Sequence, residues 1–211
     1  MHIAIAGNIG SGKTTLTRLL ARHYGWEPRY ETVTDNPYLA DYYSDINRWA
    51  FPMEVFYLKE RFRDMLEIKQ SANDIVQDRS IFEGVYVFAR NNHIMGNLDD
   101  RDFDTYMELY ESMMLRVDYP RLLVYLRTPL KSLVANIDKR GRDYERKMPI
   151  DYLESLNKLY DDFVLNEYPA QKLIIDNSGL DFEHNAKDLG KIIDQIDAEL
   201  FGLFTNNTLK P

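Results

Sequence analysis

"MHIAIA" (1–6) runs directly into "GNIGSGKTTL" (7–16). The first stretch is mostly apolar and of strand length. The second fits G-x-x-x-x-G-K-[ST] at every fixed position, as Gly7-Asn8-Ile9-Gly10-Ser11-Gly12-Lys13-Thr14, with Thr15 next. Leu16, Leu19 and Leu20 then fall on one face of a helix. Strand, glycine-rich turn and amphipathic helix in that order make a phosphate-binding loop. Glycines let backbone N–H groups curl around phosphate oxygens, and the helix N-terminus adds its positive end. Lys13 is expected to reach the β and γ phosphates of ATP, and the Thr14 hydroxyl to ligate Mg²⁺. The question is what receives the phosphate.

Four more apolar runs follow: "PRYETV" (28–33), "DIVQDR" (74–79), "RLLVYLR" (121–127) and "QKLIIDN" (171–177). "LLVYL" is apolar on both faces, as a buried parallel strand is. Helical patterns separate the runs, at 14–24, about 48–70, 80–95, 102–117, 129–139, 151–166 and 185–201. This β-α alternation predicts an α/β fold with a parallel sheet. Without repeats or a linker, the 211 residues read as one domain, 1–211. The second strand is the weakest, because Pro28 opens it.

The chain has 26 Lys plus Arg against 34 Asp plus Glu, a net charge of −8. So acidic a chain is not expected to bind nucleic acid. It has no cysteine, which excludes disulfides and thiolate metal sites and fits a reducing cytoplasm. Neither a membrane span nor a signal peptide is expected, because no apolar run is long enough and no basic region leads into one.

A guanine-specific Asn-Lys-x-Asp is absent, and the chain is short for a motor ATPase. A small-molecule kinase fits better. "RYETVTDNPYL" (29–39) puts Glu31 at the end of the second strand, and "IVQDRSIFEGVYVFA" (75–89) puts Asp78 and Arg79 at the end of the third. Ligands of open parallel sheets bind beyond the carboxyl ends of the strands, so two carboxylates and an arginine fall beside the γ-phosphate. A hydroxyl acceptor needs a carboxylate to take or orient its proton. "DKRGRDYERK" (138–147) is basic: from Lys139 to Lys147, five of nine residues are Lys or Arg. As a lid at about 139–148, it would bring Arg140 and Arg142 over the phosphates.

Phosphate loop, "ETV…NPYL", "RWAF", "DRSIFE…VFA" and "KRGRDYE" occur in the order found in the deoxynucleoside kinases. The chain resembles that family along nearly its whole length, above all the bacterial deoxyadenosine/deoxyguanosine kinases. The resemblance implies a P-loop kinase fold, a five-stranded parallel sheet flanked by helices, and a homodimer formed through a helix bundle. It implies transfer of the ATP γ-phosphate to the 5′-hydroxyl of a deoxynucleoside. By the same resemblance Glu31 contacts the 5′-hydroxyl as the favoured base, and Arg79 holds that carboxylate. Asp78 helps order Mg²⁺ and is the second candidate for the base. Tyr43 and Glu145 bind the sugar 3′-hydroxyl, Arg140 and Arg142 are the lid arginines, and Phe88 stacks on the base.

The chain departs from the family at two positions. In "RWAFPMEVFYLKERF" (48–62) it has Glu54 where the family usually has Gln, and at Gly84 the family commonly has Asp. Arg61 is retained, two helical turns after Glu54, so the two side chains converge. The acid that pairs with Arg61 is therefore expected to have moved from 84 to 54. An ionised Glu54 accepts and Arg61 donates, which matches N1–H and O6 of guanine; adenine reverses both. Deoxyguanosine is the first expectation and deoxyadenosine the second. Two other readings stand beside this one: a nucleoside monophosphate kinase like thymidylate kinase, and an inactive nucleotide-binding accessory subunit.

Overall fold

A computed structural model describes residues 1–31, 36–142 and 148–202, apart from the Tyr43 side chain. Five strands form one parallel sheet: β1 His2–Ala6, β2 Glu27–Arg29, β3 Ile75–Asp78, β4 Leu122–Arg127 and β5 Lys172–Asp176. Their order is β2-β3-β1-β4-β5, so the strand that leads into the phosphate loop is central. In register, Ile5 faces Asp78 on one side and Val124 on the other. All carboxyl ends therefore share one edge, where the phosphate loop and Asp78 meet.

Residues of β1 alternate between two cores. Ile3 and Ile5 pack with Leu16, Leu20 and Ile192 on one face, and Ala4 and Ala6 with Leu58, Phe82 and Tyr160 on the other. Helices cover both faces: α1 Lys13–Tyr24, α2 Leu39–Ser44, α3 Ile46–Gln70, α4 Ile81–Glu83, α5 Arg90–Ile94, α6 Asp100–Met114, α7 Leu130–Arg140, α8 Ile150–Asp162 and α9 Ala186–Phe201.

The expected elements are present, with shifted ends. β2 begins at Glu27 and stops at Arg29, so Glu31 lies two residues past the strand instead of on it. Pro28 is tolerated because β2 is an edge strand, paired only with β3. The helix expected over 80–95 is interrupted by a π-helical segment, Gly84–Ala89, between α4 and α5. A second, Phe163–Glu167, extends α8. The short helix α2 had no counterpart in the sequence pattern.

Candidate active site

Three features shape the phosphate loop. Gly10 and Gly12 sit at φ 83° and 93°, backbone that side chains rarely adopt. A Cβ on Gly10 would come within 2.8 Å of the Leu133 carbonyl, and one on Gly12 within 2.8 Å of the Phe182 ring. Amide side chains from far along the chain strap the loop. Asn8 Nδ2 donates to the Leu153 carbonyl at 2.9 Å and to Asn157 Oδ1 at 2.6 Å. Asn136 donates to the Gly10 carbonyl at 2.8 Å, and Asn177 to the Ser11 carbonyl at 3.1 Å. Inside the loop, Lys13 Nζ donates to the Asn8 carbonyl at 2.9 Å. Burial lowers the Lys13 pKa to about 8, and the Arg79 charge adds to the shift.

Asp78 ends β3 and accepts from the Thr14 hydroxyl at 2.5 Å. A hydroxyl and a carboxylate are the hard oxygen donors that Mg²⁺ takes, with water and phosphate completing its shell. Among the described residues no cluster of three or more His, Cys, Asp or Glu could hold a metal alone. The Ser11 hydroxyl is buried without a hydrogen-bond partner among the described residues, so it fits an incoming phosphate oxygen.

After Asp78 the chain turns sharply. Arg79 has φ 66°, the one non-glycine described with positive φ. A capping box holds the turn: Glu83 Oε2 accepts from the Ser80 backbone N–H at 2.7 Å and from the Ser80 hydroxyl at 3.1 Å. Tyr160 donates to the other Glu83 oxygen at 3.2 Å. The turn aims the Arg79 guanidinium over the Phe88 ring, 4.5 Å from its centroid, and Arg79 Nε lies 3.4 Å from Glu31 Oε2. Arg61 takes the other oxygen, with Nη2 2.7 Å from Glu31 Oε1. Burial alone would raise the Glu31 pKa. The Arg79 and Arg61 charges outweigh it and hold the carboxyl at about 2.

The expected exchange of acids around Arg61 is corrected by this pairing. Its ion partner is Glu31, not Glu54. The cause is Gly84: a Cβ there would lie 2.4 Å from Arg61 Nη1, so the missing side chain is the space into which the guanidinium leans. Glu54 is instead bonded by Asn92, whose Nδ2 donates to Oε1 at 2.8 Å. It is 2% exposed. Burial raises its pKa to about 7, against the lowering influence of Arg61.

Two cavities flank the loop. One, of about 260 Å³, is lined by Glu31, Glu54, Arg61, Arg79, Phe88 and Asn92 among others. The second, of about 500 Å³, is lined by Ser11, Gly12, Asn136, Asn177, Phe182 and neighbours. Both are bordered by Gly10, Lys13, Thr14, Arg140 and Arg142. Arg140 ends α7, and Gly141 in the left-handed conformation caps that helix and turns the chain toward Arg142. Of the remaining expected residues, Ile9 lines the first cavity and Thr15 the second, and Gly84 acts through the space it leaves. Glu145 and the Tyr43 side chain lie outside the described residues.

Sequence reasoning missed Asn92, Tyr42, Met53, Tyr57 and Tyr152, all on the first cavity. The signal for Asn92 was its place. Asparagine is a poor residue for a helix interior, so Asn91 and Asn92 inside "FARNNHI" (88–94) called for a reason.

Comparison with known proteins gives this geometry a family. The sequence model of the deoxynucleoside kinases matches residues 3–201. A deoxyadenosine/deoxycytidine kinase of Bacillus subtilis is 34% identical over 198 residues, 92% of this chain and 90% of that protein. A deoxyguanosine kinase of Lactobacillus johnsonii is 34% identical over 207 residues, 94% of this chain and 92% of that one. The structure of a deoxyadenosine kinase from M. mycoides with the products dCMP and dCDP bound superposes with a TM-score of 0.82. It is 29% identical and covers 94% of this chain and 100% of its own. The relatives differ in the base they are named for, but they agree on the reaction, and the chain belongs to the deoxynucleoside kinase family of ATP-dependent phosphotransferases.

Proposed function

We propose that the protein transfers the ATP γ-phosphate to the 5′-hydroxyl of a purine deoxynucleoside, deoxyguanosine before deoxyadenosine. One observation carries this reading: two cavities share a border made of Gly10, Lys13, Thr14, Arg140 and Arg142. The triphosphate takes the larger one, its phosphates on the loop's N–H groups and on Lys13. The nucleoside takes the smaller, with its 5′-hydroxyl at Glu31, its base against Phe88, and its base edge at Glu54. The sugar 3′-hydroxyl goes to Tyr43 and Glu145, as the family resemblance implies.

The 5′-oxygen attacks the γ-phosphorus while the bond to the ADP oxygen breaks. The hydroxyl proton passes to a Glu31 oxygen. A carboxylate held at about 2 is a weak base, and that suits a loose transition state in which the proton leaves late. The task of Glu31 is then to orient the hydroxyl, with Arg79 and Arg61 fixing both carboxylate oxygens. Arg140 and Arg142 meet the charge that spreads over donor and acceptor. Thr14 and Asp78 would hold Mg²⁺, which supplies neutralising charge to the phosphates when bound. Asp78, on the Thr14 hydroxyl, is turned to that task, which supports Glu31 over Asp78 for the proton.

Where Glu54 is ionised, its hydrogen-bond polarity supports guanine over adenine. The absence of cysteine supports a reducing cytoplasm as the site of action. For the homodimer implied by the resemblance, α6 carries the partly exposed Leu109, with the 84% exposed Leu115 just after it; sizing the purified chain by light scattering tests it. An ATP-consumption assay over the four deoxynucleosides tests the reading. Turnover with a purine deoxynucleoside is expected to exceed that with either pyrimidine. Preference for a pyrimidine would overturn the purine assignment, and turnover only with a monophosphate acceptor would favour a nucleoside monophosphate kinase.

A further inference from the structure

Glu54 does not stand alone at the nucleoside cavity. Asn92 is buried beside it, 3% exposed, and its amide is pinned at both ends. Its Oδ1 accepts from the Tyr42 hydroxyl at 3.2 Å and from Asn97 Nδ2 at 3.0 Å. This orientation satisfies all the groups at once, with Tyr42 and Asn97 donating to Oδ1 and the amino group donating to the carboxylate. The amino group points at Glu54 Oε1, 2.8 Å away. Asn92 claims that oxygen, and Oε2 is the carboxyl atom left to meet a ligand.

Resting on the purine reading above, we propose that the proton on Glu54 Oε2 selects the base. Without it, Oε2 accepts from N1–H of guanine; with it, Oε2 donates to N1 of adenine. With its amino group on Oε1, Asn92 keeps the proton off that oxygen and makes the choice binary. One site thus holds two opposite preferences, and the local proton concentration decides between them.

Arg61, on the same helix, and Arg79, after β3, both draw the Glu54 pKa down and stay charged throughout. The phenols of Tyr57 on α3 and Tyr106 on α6 are raised by burial and remain neutral. Burial outweighs the arginines and leaves Glu54 near 7, where both forms are present at neutral pH. Lys13 also titrates nearby, at about 8. It acts on phosphate, common to both reactions, and divides out of a ratio between nucleosides.

The test is the ratio of kcat/KM for deoxyguanosine to that for deoxyadenosine, measured from about pH 6 to 8, where neither base changes protonation. A single deciding proton makes the ratio rise about tenfold per pH unit, hence about a hundredfold over the range. Glu54→Gln is expected to flatten the profile. Asn92→Leu removes a hydrogen bond that favours the ionised form, so it moves the crossover to higher pH. A role of Asn92 in folding alone would leave the crossover in place. A flat wild-type ratio overturns the proposal and leaves the purine kinase intact, as does a rising ratio that persists in Glu54→Gln. Failure to phosphorylate either purine overturns both readings.

Discussion

Glu31 and Glu54 are two buried carboxyls in one cavity, driven in opposite directions by what surrounds them. Glu31 lies between two guanidiniums and stays ionised; Glu54 faces an amide and hovers near neutrality. Each has its own signature. Glu31→Gln is expected to keep fold and nucleoside binding but to lower turnover by about 10²-fold or more, the scale of a positioned acid or base. If instead it retains turnover while Asp78→Asn abolishes it, the proton goes to Asp78. For Glu54 the signature is in stability. Its folded pKa of about 7 lies above the ordinary 4.5, so between those values the folded chain binds more protons than the unfolded one. Stability is full below about 4.5 and declines as pH rises to about 7, by up to about 3 kcal/mol. Thermal melts are therefore expected to show the wild type losing ground to Glu54→Gln from about pH 5 to 8. Parallel curves would mean that the carboxyl is ionised throughout.

The π-helical segment Gly84–Ala89 and the turn before it decide how the acceptor cavity is furnished. Gly84 itself has ordinary right-handed helical backbone, φ −56°, so alanine meets no backbone strain there. The added methyl would displace the Arg61 guanidinium, 2.4 Å away, from Glu31. Gly84→Ala is expected to lower the thermal midpoint, because it parts a buried ion pair, and to lower kcat/KM by about tenfold or more, the worth of a charge-assisted hydrogen bond. Steady-state kinetics beside a melt check this; unchanged kinetics would show that Arg61 reaches Glu31 by another path. Much of this was legible in advance. Hydrophobic runs gave five strands, and the glycine spacing gave the phosphate loop. Ser80-x-x-Glu83 is also a readable capping box, although its meaning as the clamp behind Arg79 emerged only in three dimensions. The partners of Arg61 and Glu54 were not legible. Glu31 is 30 residues from Arg61 and Asn92 is 38 from Glu54, and no local periodicity encodes such distances. β2 was overread at Tyr30 and Glu31, which follow the strand at the sheet edge, while residues 32–33 of the expected run lie outside the described residues.

At the level of the whole molecule, one edge of the sheet carries both cavities, and residues 140 and 142 border each of them. Charge there develops during transfer, so Arg140→Ala and Arg142→Ala are expected to lower turnover more than they weaken nucleoside binding. Separate measurement of kcat and of nucleoside Kd decides it; weaker binding at constant turnover would reduce the pair to attracting substrate. The straps of the phosphate loop carry a different consequence. The loop is synthesised well before its supports, because the amides that hold it come from residues 136, 157 and 177, and β1 pairs with strands that begin at 75 and 122. On the ribosome, the growing chain carries a nucleotide-binding sequence long before it owns a nucleotide-binding shape. Competence to bind ATP thus arrives late in translation, once Asn177 has cleared the exit tunnel, and a chain broken off earlier has no set of struts with which to hold it.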